Sequence, residues 1–561
     1  MGAPHRIAPS ATYAAPAAPP GTAGAPVLHL LLRPPRPLPM AIVTPVDVAE
    51  LTALLSGCPY IRARDLVLRG FRFGFDIGFR GLGFPTRPRN LRSARAAPHA
   101  VSTAIALELQ RGHIAGPFVC SPLPCLHCSP LGAASKPSGA ARLILDLSSP
   151  RGRAVNEGID PDLYSVQYSS FDDAVRLVAS VGPRASLAKL DIRHAFRICP
   201  VRLDQIHLLG FQWDGFLFVD TRLPFGSRSS PFLFNTFADL LAWALVTVCG
   251  VSALLHYLDD FFFCASSELS CRRDMDIFLC TCSRLGVPIA HDKTVGPASS
   301  LTYLGIELDA ARQVARLPAG KLAALATLLE EWAGRVSCTK RDLLSLIGSL
   351  SFAARVVRPG RLFLRRLITL STSVPALDAI IPLHGDALAD IDWWRQFIRD
   401  WNGVELFPRY RLSSADLHLA TDASAVGLGA VYGTSWFSEP LPSRLRCHHI
   451  NVLELFAILA AVFTWGDAWR DSAVRLHTDN EAVVYVWRRG SSRDPHMLTL
   501  LRALFFFCAR RNIHLTFAHV PGVCNDVADS LSRLQVSRFR RLRPDSELLP
   551  TSVPEDAWIV L

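Results

Sequence analysis

Leu254-Leu255-His256-Tyr257-Leu258-Asp259-Asp260-Phe261-Phe262-Phe263-Cys264 sets two adjacent carboxylates between two apolar runs. Neighbouring residues of a strand point to opposite faces, so Asp259 and Asp260 can converge only from a tight turn that joins two strands. An Asp-Asp pair on its own is commonly a solvated turn. Between strands this apolar, unpaired charge is costly unless a metal or a partner neutralises it. The stretch therefore predicts a hairpin with acid chemistry at its tip, and it asks for a third carboxylate on a neighbouring strand. Asp191 answers: Lys189-Leu190-Asp191-Ile192-Arg193-His194-Ala195-Phe196 is an apolar strand end passing into a turn. Aspartates brought to one point from separate strands suit two divalent ions, the arrangement that nucleotidyl transfer needs.

The rest of the chain is consistent with such an enzyme. Its 561 residues exceed one ordinary core, so several domains are expected. Half of the residues are hydrophobic, which excludes a mostly disordered protein. Lys and Arg total 59 against 48 Asp and Glu, a net charge of +11 that favours polyanionic partners but also suits a plain basic surface. The 14 cysteines are scattered and no signal peptide opens the chain, so reduced intracellular thiols are expected, in cytoplasm or nucleus. Cys120, Cys125, His127 and Cys128 have a loose zinc-like spacing without a second paired cluster, and are read as structural. The longest uncharged run, Leu240 to Leu255, is 16 residues, short of a bilayer span, and predicts a buried helix leading into a strand; no membrane partner is expected.

Composition and periodicity divide the chain into blocks. Residues 1–44 are Ala- and Pro-rich and read as a disordered leader. Residues 45–101 read as an accessory segment, with a short helix in VDVAELTALLSG and alternation in GFRFGFDIGFRGLGF. Residues 102–312 alternate strands with helices, an α+β pattern. Residues 313–411 turn helical, with Thr339 and Asp342 forming a capping-box start. Residues 412–534 return to α/β, and 535–561 form a basic then acidic tail with little periodicity.

The α/β block carries a second set of acids. Asp422 lies in the strand end TDAS, Glu454 in the helix INVLELFAILAAV, Asp479 at the end of VRLHTD and Asp529 in NDVADSLSR. A Glu between Leu453 and Leu455 in a helix with almost no other charge is unexpected as a solvating residue. Four converging acids suit hydrolysis of a nucleic-acid strand at two metal ions.

The order KLDIRHAF, LPFGSRSSPFLFN, YLDD and LTYLGIEL resembles the successive palm motifs of reverse transcriptases, and the later acids resemble the D-E-D-D set of ribonuclease H. LHCSPLG, SLIGSLSFAARVVRPGRLFLRRLI, INVLELFAI and NDVADSLSR narrow the resemblance to DIRS-like, tyrosine-recombinase retrotransposons over roughly residues 71–534, with Gypsy-type elements the nearest rivals. The resemblance implies a right-hand polymerase of fingers and palm (102–312) and helical thumb or connection (313–411), followed by a ribonuclease H-like domain (412–534). It implies that Asp191, Asp259 and Asp260 bind metal and act in catalysis, Asp260 being the weaker ligand, and that Asp422, Glu454, Asp479 and Asp529 do the same in the nuclease, assisted by His519. Two magnesium (or manganese) ions are implied at each site.

By the same resemblance Phe196 is the aromatic gate against a sugar 2′-hydroxyl, although a buried Phe is also ordinary core. Phe225 and Gly226 support the incoming nucleotide and template base, Arg142 and Lys136 contact its triphosphate, and Lys293 protonates pyrophosphate. Implied partners are an RNA template, a DNA primer, RNA–DNA hybrid and deoxynucleoside triphosphates, with a tyrosine recombinase encoded elsewhere, since no aspartic-protease string, zinc-binding integrase cluster or recombinase domain is found here. From the residues themselves, Arg355, Arg358, Arg361, Arg365 and Arg366 are candidates for a nucleic-acid track, or else an ordinary solvated face. Arginines 538, 540, 541 and 543 extend that track or serve nuclear entry. The alternative from another class is an inactive or domesticated retroelement-derived protein that binds nucleic acid without chemistry.

Overall fold

The strand pair forms around the acids as the apolar runs dictate. Leu254–Tyr257 and Asp260–Ala265 are strands, and Leu258 between them takes φ +54°, the left-handed conformation of a tight turn. They stand in a four-stranded sheet in the order Leu254–Tyr257, Asp260–Ala265, Ser186–Asp191, Val295–Ala298. Phe261, Phe262 and Phe263 are fully buried, which anchors the hairpin from below its acidic tip.

The computed structural model describes residues 35–561 other than 82, 136–138, 401–403, 406–409, 471, 491, 512 and 522–524. These form two compact units, each assembled from separate segments. The first comprises the described residues of Met1–Ser169, with Leu190–Phe261 and Arg273–Thr294; the second comprises Ser170–Lys189, Phe262–Arg272 and Val295–Leu561.

In the first unit the helix Ser230–Thr247 buries much of its surface, and the uncharged run ends in the strand Leu254–Tyr257, as its length implied. A three-stranded sheet (Ile114–Phe118, Phe216–Asp220, Gly210–Trp213) and the hairpin Leu131–Ser135 with Ala141–Leu145 lie upstream. Two readings of the N-terminal region are corrected by the fold. GFRF is the end of a helix, Ile61–Phe73, because the positions that bury (Val67, Gly70, Phe71) follow helical spacing while the alternation only sets in beyond Gly74. Residues 35–44, assigned to the leader, pack onto the body: Arg36 exchanges backbone hydrogen bonds with Gly116 at 2.8 and 3.0 Å, and Thr44 Oγ1 donates to the Ile198 carbonyl at 3.1 Å. The rest of the leader, 1–34, lies outside the described residues.

In the second unit, helices Ala319–Ala333, Lys340–Ala353 and Gly385–Asp400 follow a short antiparallel sheet, and Thr339 caps the second of them by accepting from Asp342 N, reciprocated by Asp342, as its capping box implied. The final α/β region has two three-stranded sheets. One is parallel, Tyr410–Ser413, Ser472–Thr478, His514–His519; the other is antiparallel, Leu419–Ala423, Gly427–Tyr432, Ser435–Pro440. The strand read from LHLATDAS forms as Leu419–Ala423, starting just after a helical turn at Ser414–Leu417. The helix Ile450–Trp465 is buried almost throughout, so its high hydropathy serves a domain core. The tail also folds. Val536–Leu542 is helical, and Phe539 is fully buried against Val431, Trp436 and Leu531.

Candidate active sites

At the hairpin, backbone bonds tie distant segments together: Ile192 N donates to the Asp259 carbonyl at 3.0 Å, and Ala290 N donates to that of Asp191 at 2.8 Å. Asp191 is buried at its strand end, and Lys293 Nζ lies 2.9 Å from its Oδ2. Burial, followed by the charge of Asp191, raises Asp259 to about 6. Burial lowers Lys293, but its hydrogen bond to Asp191 and the charges of Asp191, Asp259 and Asp260 hold it above its ordinary value. This is the signature of a negatively charged pocket that attracts cations, one of which is supplied by the protein itself.

Around it lie the other candidates. Phe196 is buried against Phe225 and Phe234, with ring centroids 5.2 and 5.6 Å away. The Arg142 guanidinium sits 4.9 Å from the Phe225 ring centroid. Gly226 has φ +113°, and a Cβ there would lie 2.0 Å from the Leu145 carbonyl oxygen, so only glycine fits. Two residues that sequence reasoning missed hold this loop. Asn156 Nδ2 donates to the Gly226 carbonyl at 2.9 Å while its Oδ1 accepts from Arg228 N at 2.8 Å, and Arg228 reaches the Asn156 and Ile159 carbonyls at 2.8 and 2.7 Å. Nothing local in AVNEG signals that role. Lys136 lies outside the described residues.

In the α/β region, Asp422, Glu454 and Asp479 bring carboxylate oxygens within 4.8 Å of one another. Among the described residues they are the three acids gathered this tightly; Asp191, Asp259 and Asp260 are not. Burial, then the charges of Asp422 and Asp479, raises Glu454 to about 8. Burial likewise lifts Asp422 to about 6, although the Ser532 hydroxyl donates to it. Asp529 stands apart: Arg533 Nε is 2.6 Å and Arg538 Nη1 3.2 Å from its oxygens. His519 is exposed at the end of its strand, in register with Thr478 and hence beside the strand end that carries Asp479. Ser532, Arg533 and Arg538 carry no sequence signal for these contacts.

The arginine candidates divide. Arg355 and Arg361 are exposed, and Arg365 is half-buried. Arg366 is engaged by Asp386 at 3.3 Å and Asp390 at 3.6 Å, which takes it out of a free track. The side chain of Arg358 lies outside the described residues. In the tail, Arg538, Arg540 and Arg543 bind within the chain, to Asp526 and Asp529, to the Ser546 and Leu548 carbonyls, and to the Gly433 carbonyl and Asp545. Cys120 and Cys125 are exposed while Cys128 and His127 are buried, His127 Nδ1 lying 2.9 Å from the Phe84 carbonyl; the four make no metal cluster.

Residues 134–308 match the family model described as reverse transcriptase (RNA-dependent DNA polymerase). This segment is similar to reverse transcriptase domains. It holds the Asp191, Asp259 and Asp260 site together with Arg142, Phe196, Phe225, Gly226 and Lys293. The Transposon Tf2-3 polyprotein of Schizosaccharomyces pombe (strain 972 / ATCC 24843) is 20% identical over 446 residues, 75% of this chain and 30% of the polyprotein. The Tf2-7 polyprotein of the same organism is 20% identical over 443 residues with the same shares. The chain thus spans about 30% of the length of these curated relatives. Among solved structures, the foamy viral protease-reverse transcriptase dRH in complex with dsDNA is similar (TM-score 0.48, 15% identity, 88% of this chain and 84% of that one). The foamy viral protease-reverse transcriptase in complex with RNA/DNA hybrid is also similar (TM-score 0.46, 15% identity, 94% and 67%). The architecture itself is mixed α/β and multidomain.

Proposed function

We propose that this chain is the RNA-directed DNA polymerase of a retrotransposon and that it also degrades the RNA of RNA–DNA hybrids. The observation that carries the reading is the pairing of a buried Asp191 with the Asp259-Asp260 turn inside the segment that matches the reverse transcriptase family. Reverse transcriptases generally use divalent metal ions, and both acid sets offer the oxygen donors such ions take, gathered within 4.8 Å in Asp422, Glu454 and Asp479. Asp191, Asp259 and Asp260 would hold them at one site and Asp422, Glu454 and Asp479 at the other, with Asp529 joining once released from Arg533 and Arg538. Two magnesium ions at each site, when bound, lower the pKa of the attacking hydroxyl or water and stabilise the leaving oxygen.

The protein's own groups do the rest. Phe196, backed by Phe225 and Phe234, limits the room at the sugar 2′ position and so favours deoxynucleoside triphosphates. Arg142 faces the triphosphate, and the Gly226 loop, braced by Asn156, supports the nucleotide against the template. Lys293, kept protonated by Asp191, is placed to neutralise or protonate pyrophosphate as it leaves. In the nuclease, exposed His519 assists product release. The working division is 102–312 for fingers and palm, 313–411 for thumb and connection, and 412–534 for the nuclease. Exposed Arg355 and Arg361 remain candidates for template and primer contact. The motif wording favours the DIRS-like subtype, with a tyrosine recombinase as a partner and action in cytoplasm or nucleus. The test is primer extension on an RNA template with magnesium, run beside Asp259→Asn; equal incorporation by both proteins removes the assignment.

A further inference from the structure

A basic feature of the first unit centres on a helix upstream of the segment that matches the family. The helix Ile61–Phe73 carries Arg62, Arg69 and Arg72 at spacings of seven and three, so the three lie along one side. They border a cleft of about 1050 Å³ that Phe73, Arg202 and Tyr164 also line. The wall is firmly built. Phe75 N donates to the Pro200 carbonyl at 2.8 Å and Arg202 N to the Phe75 carbonyl at 3.2 Å. Phe71 packs edge-on against Phe75 and Phe237, at 5.1 and 5.2 Å. Gly74, at φ +85°, sits where a Cβ would lie 2.5 Å from Arg202 N.

The cleft's charge does not cancel. Its three carboxylates are already served: Asp65 by Arg64 at 3.1 Å, Asp76 by Arg80 at 3.2 Å, and Asp204 by Arg202 at 2.6 Å. Arg202, which lines the cleft, also approaches Asp76 at 3.8 Å, and Arg62, Arg69 and Arg72 line it with no carboxylate partner among the described residues. Beside them Phe73 is 62% exposed, although its neighbours Phe71 and Phe75 are buried. Arginines for phosphates and an exposed ring for a base are the two components of single-strand binding, in which the backbone tracks a positive groove while bases stack on aromatic faces.

We propose that this cleft binds the phosphodiester backbone of single-stranded nucleic acid, with Arg62, Arg69 and Arg72 on successive phosphates and Phe73 stacking on a base. The identification of that strand as template rests on the polymerase reading; the binding itself does not. A labelled 20-nucleotide oligouridylate and a blunt duplex of equal length are titrated against the full chain in the Asp259→Asn background across a salt series. Arg62→Gln/Arg69→Gln/Arg72→Gln should weaken oligouridylate binding by about tenfold or more and reduce the salt slope by about 2, at roughly 0.7 for each phosphate no longer neutralised. Duplex binding should hardly change. Phe73→Ala should weaken oligouridylate binding about fivefold or more without altering the slope. Unchanged single-strand affinity and slope in the triple variant, or equal losses for oligouridylate and duplex, overturn the proposal. Loss of polymerase activity in the parent chain would leave this test standing, because it reads binding alone.

Discussion

Replacing Glu454 by Gln should stabilise the metal-free protein while ending hybrid cleavage. Glu454 is buried beside Asp422 and Asp479, and its carboxyl is raised from 4.5 to about 8. A buried acid whose folded pKa exceeds its unfolded one adds no penalty below the unfolded value, and stability then falls as pH rises through the window from 4.5 to about 8. At pH 7 the unfolded carboxyl is ionised and the folded one is mostly protonated, so the accumulated cost is about 3 kcal/mol, at 1.36 kcal/mol per unit. Gln retains the shape and cannot ionise. In EDTA at pH 7 the unfolding transition of Glu454→Gln should therefore lie roughly 5–10 °C above that of the parent. The gap should close towards pH 4.5, and magnesium should raise the parent's transition more than the variant's. The assay is thermal unfolding by circular dichroism over pH 4.5–8 with EDTA or magnesium. A variant that melts at or below the parent at pH 7 in EDTA would refute the reasoning that burial and neighbouring acids hold this carboxyl neutral.

Other perturbations probe the remaining parts. Phe196→Val should raise ribonucleotide incorporation by about tenfold or more, read as alkali-labile product, since a pocket that rejects a hydroxyl by bulk loses that discrimination when the bulk goes. Gly226→Ala forces a Cβ to 2.0 Å from the Leu145 carbonyl oxygen; extension should fail while hybrid cleavage persists, and loss of both activities would show a general folding defect instead. Arg197 is buried between Asp220 at 2.8 Å and Glu108 at 3.0 Å, so Asp220→Ala, which leaves it Glu108 alone, should cost about 1–3 kcal/mol in urea unfolding. Asp65→Ala, at an exposed pair, should cost under about 1 kcal/mol in the same measurement.

What could be read in advance was what local pattern encodes. The apolar runs around Asp259-Asp260 and around Asp191 are strands, Glu454 lies on a helix, and Thr339 starts another, because strand, helix and capping signals act within a few residues. Pairings across long separations were not legible. Lys293 on Asp191, Asn156 beneath Gly226, Ser532 on Asp422, and Arg197 with Glu108 join residues that only the tertiary fold brings together. Competing periods explain the N-terminal error, where FRFGF alternates by twos although its first residues finish a helix. The tail looked aperiodic because its anchors are scattered single residues: Phe539 is buried in an apolar cluster, while Glu547 N and Thr551 N donate to the Thr434 and Trp436 carbonyls.

If one chain holds two separate nucleic-acid chemistries at two acid centres, each centre should fail alone. The most direct measurement is a crossed assay: extension of a DNA primer on an RNA template, and cleavage of an RNA–DNA hybrid, each with the parent, Asp259→Asn and Glu454→Gln in magnesium. The expected result is that Asp259→Asn loses extension and keeps cleavage, while Glu454→Gln does the reverse. Extension by Asp259→Asn at the parent's rate, or cleavage by Glu454→Gln at the parent's rate, would contradict it.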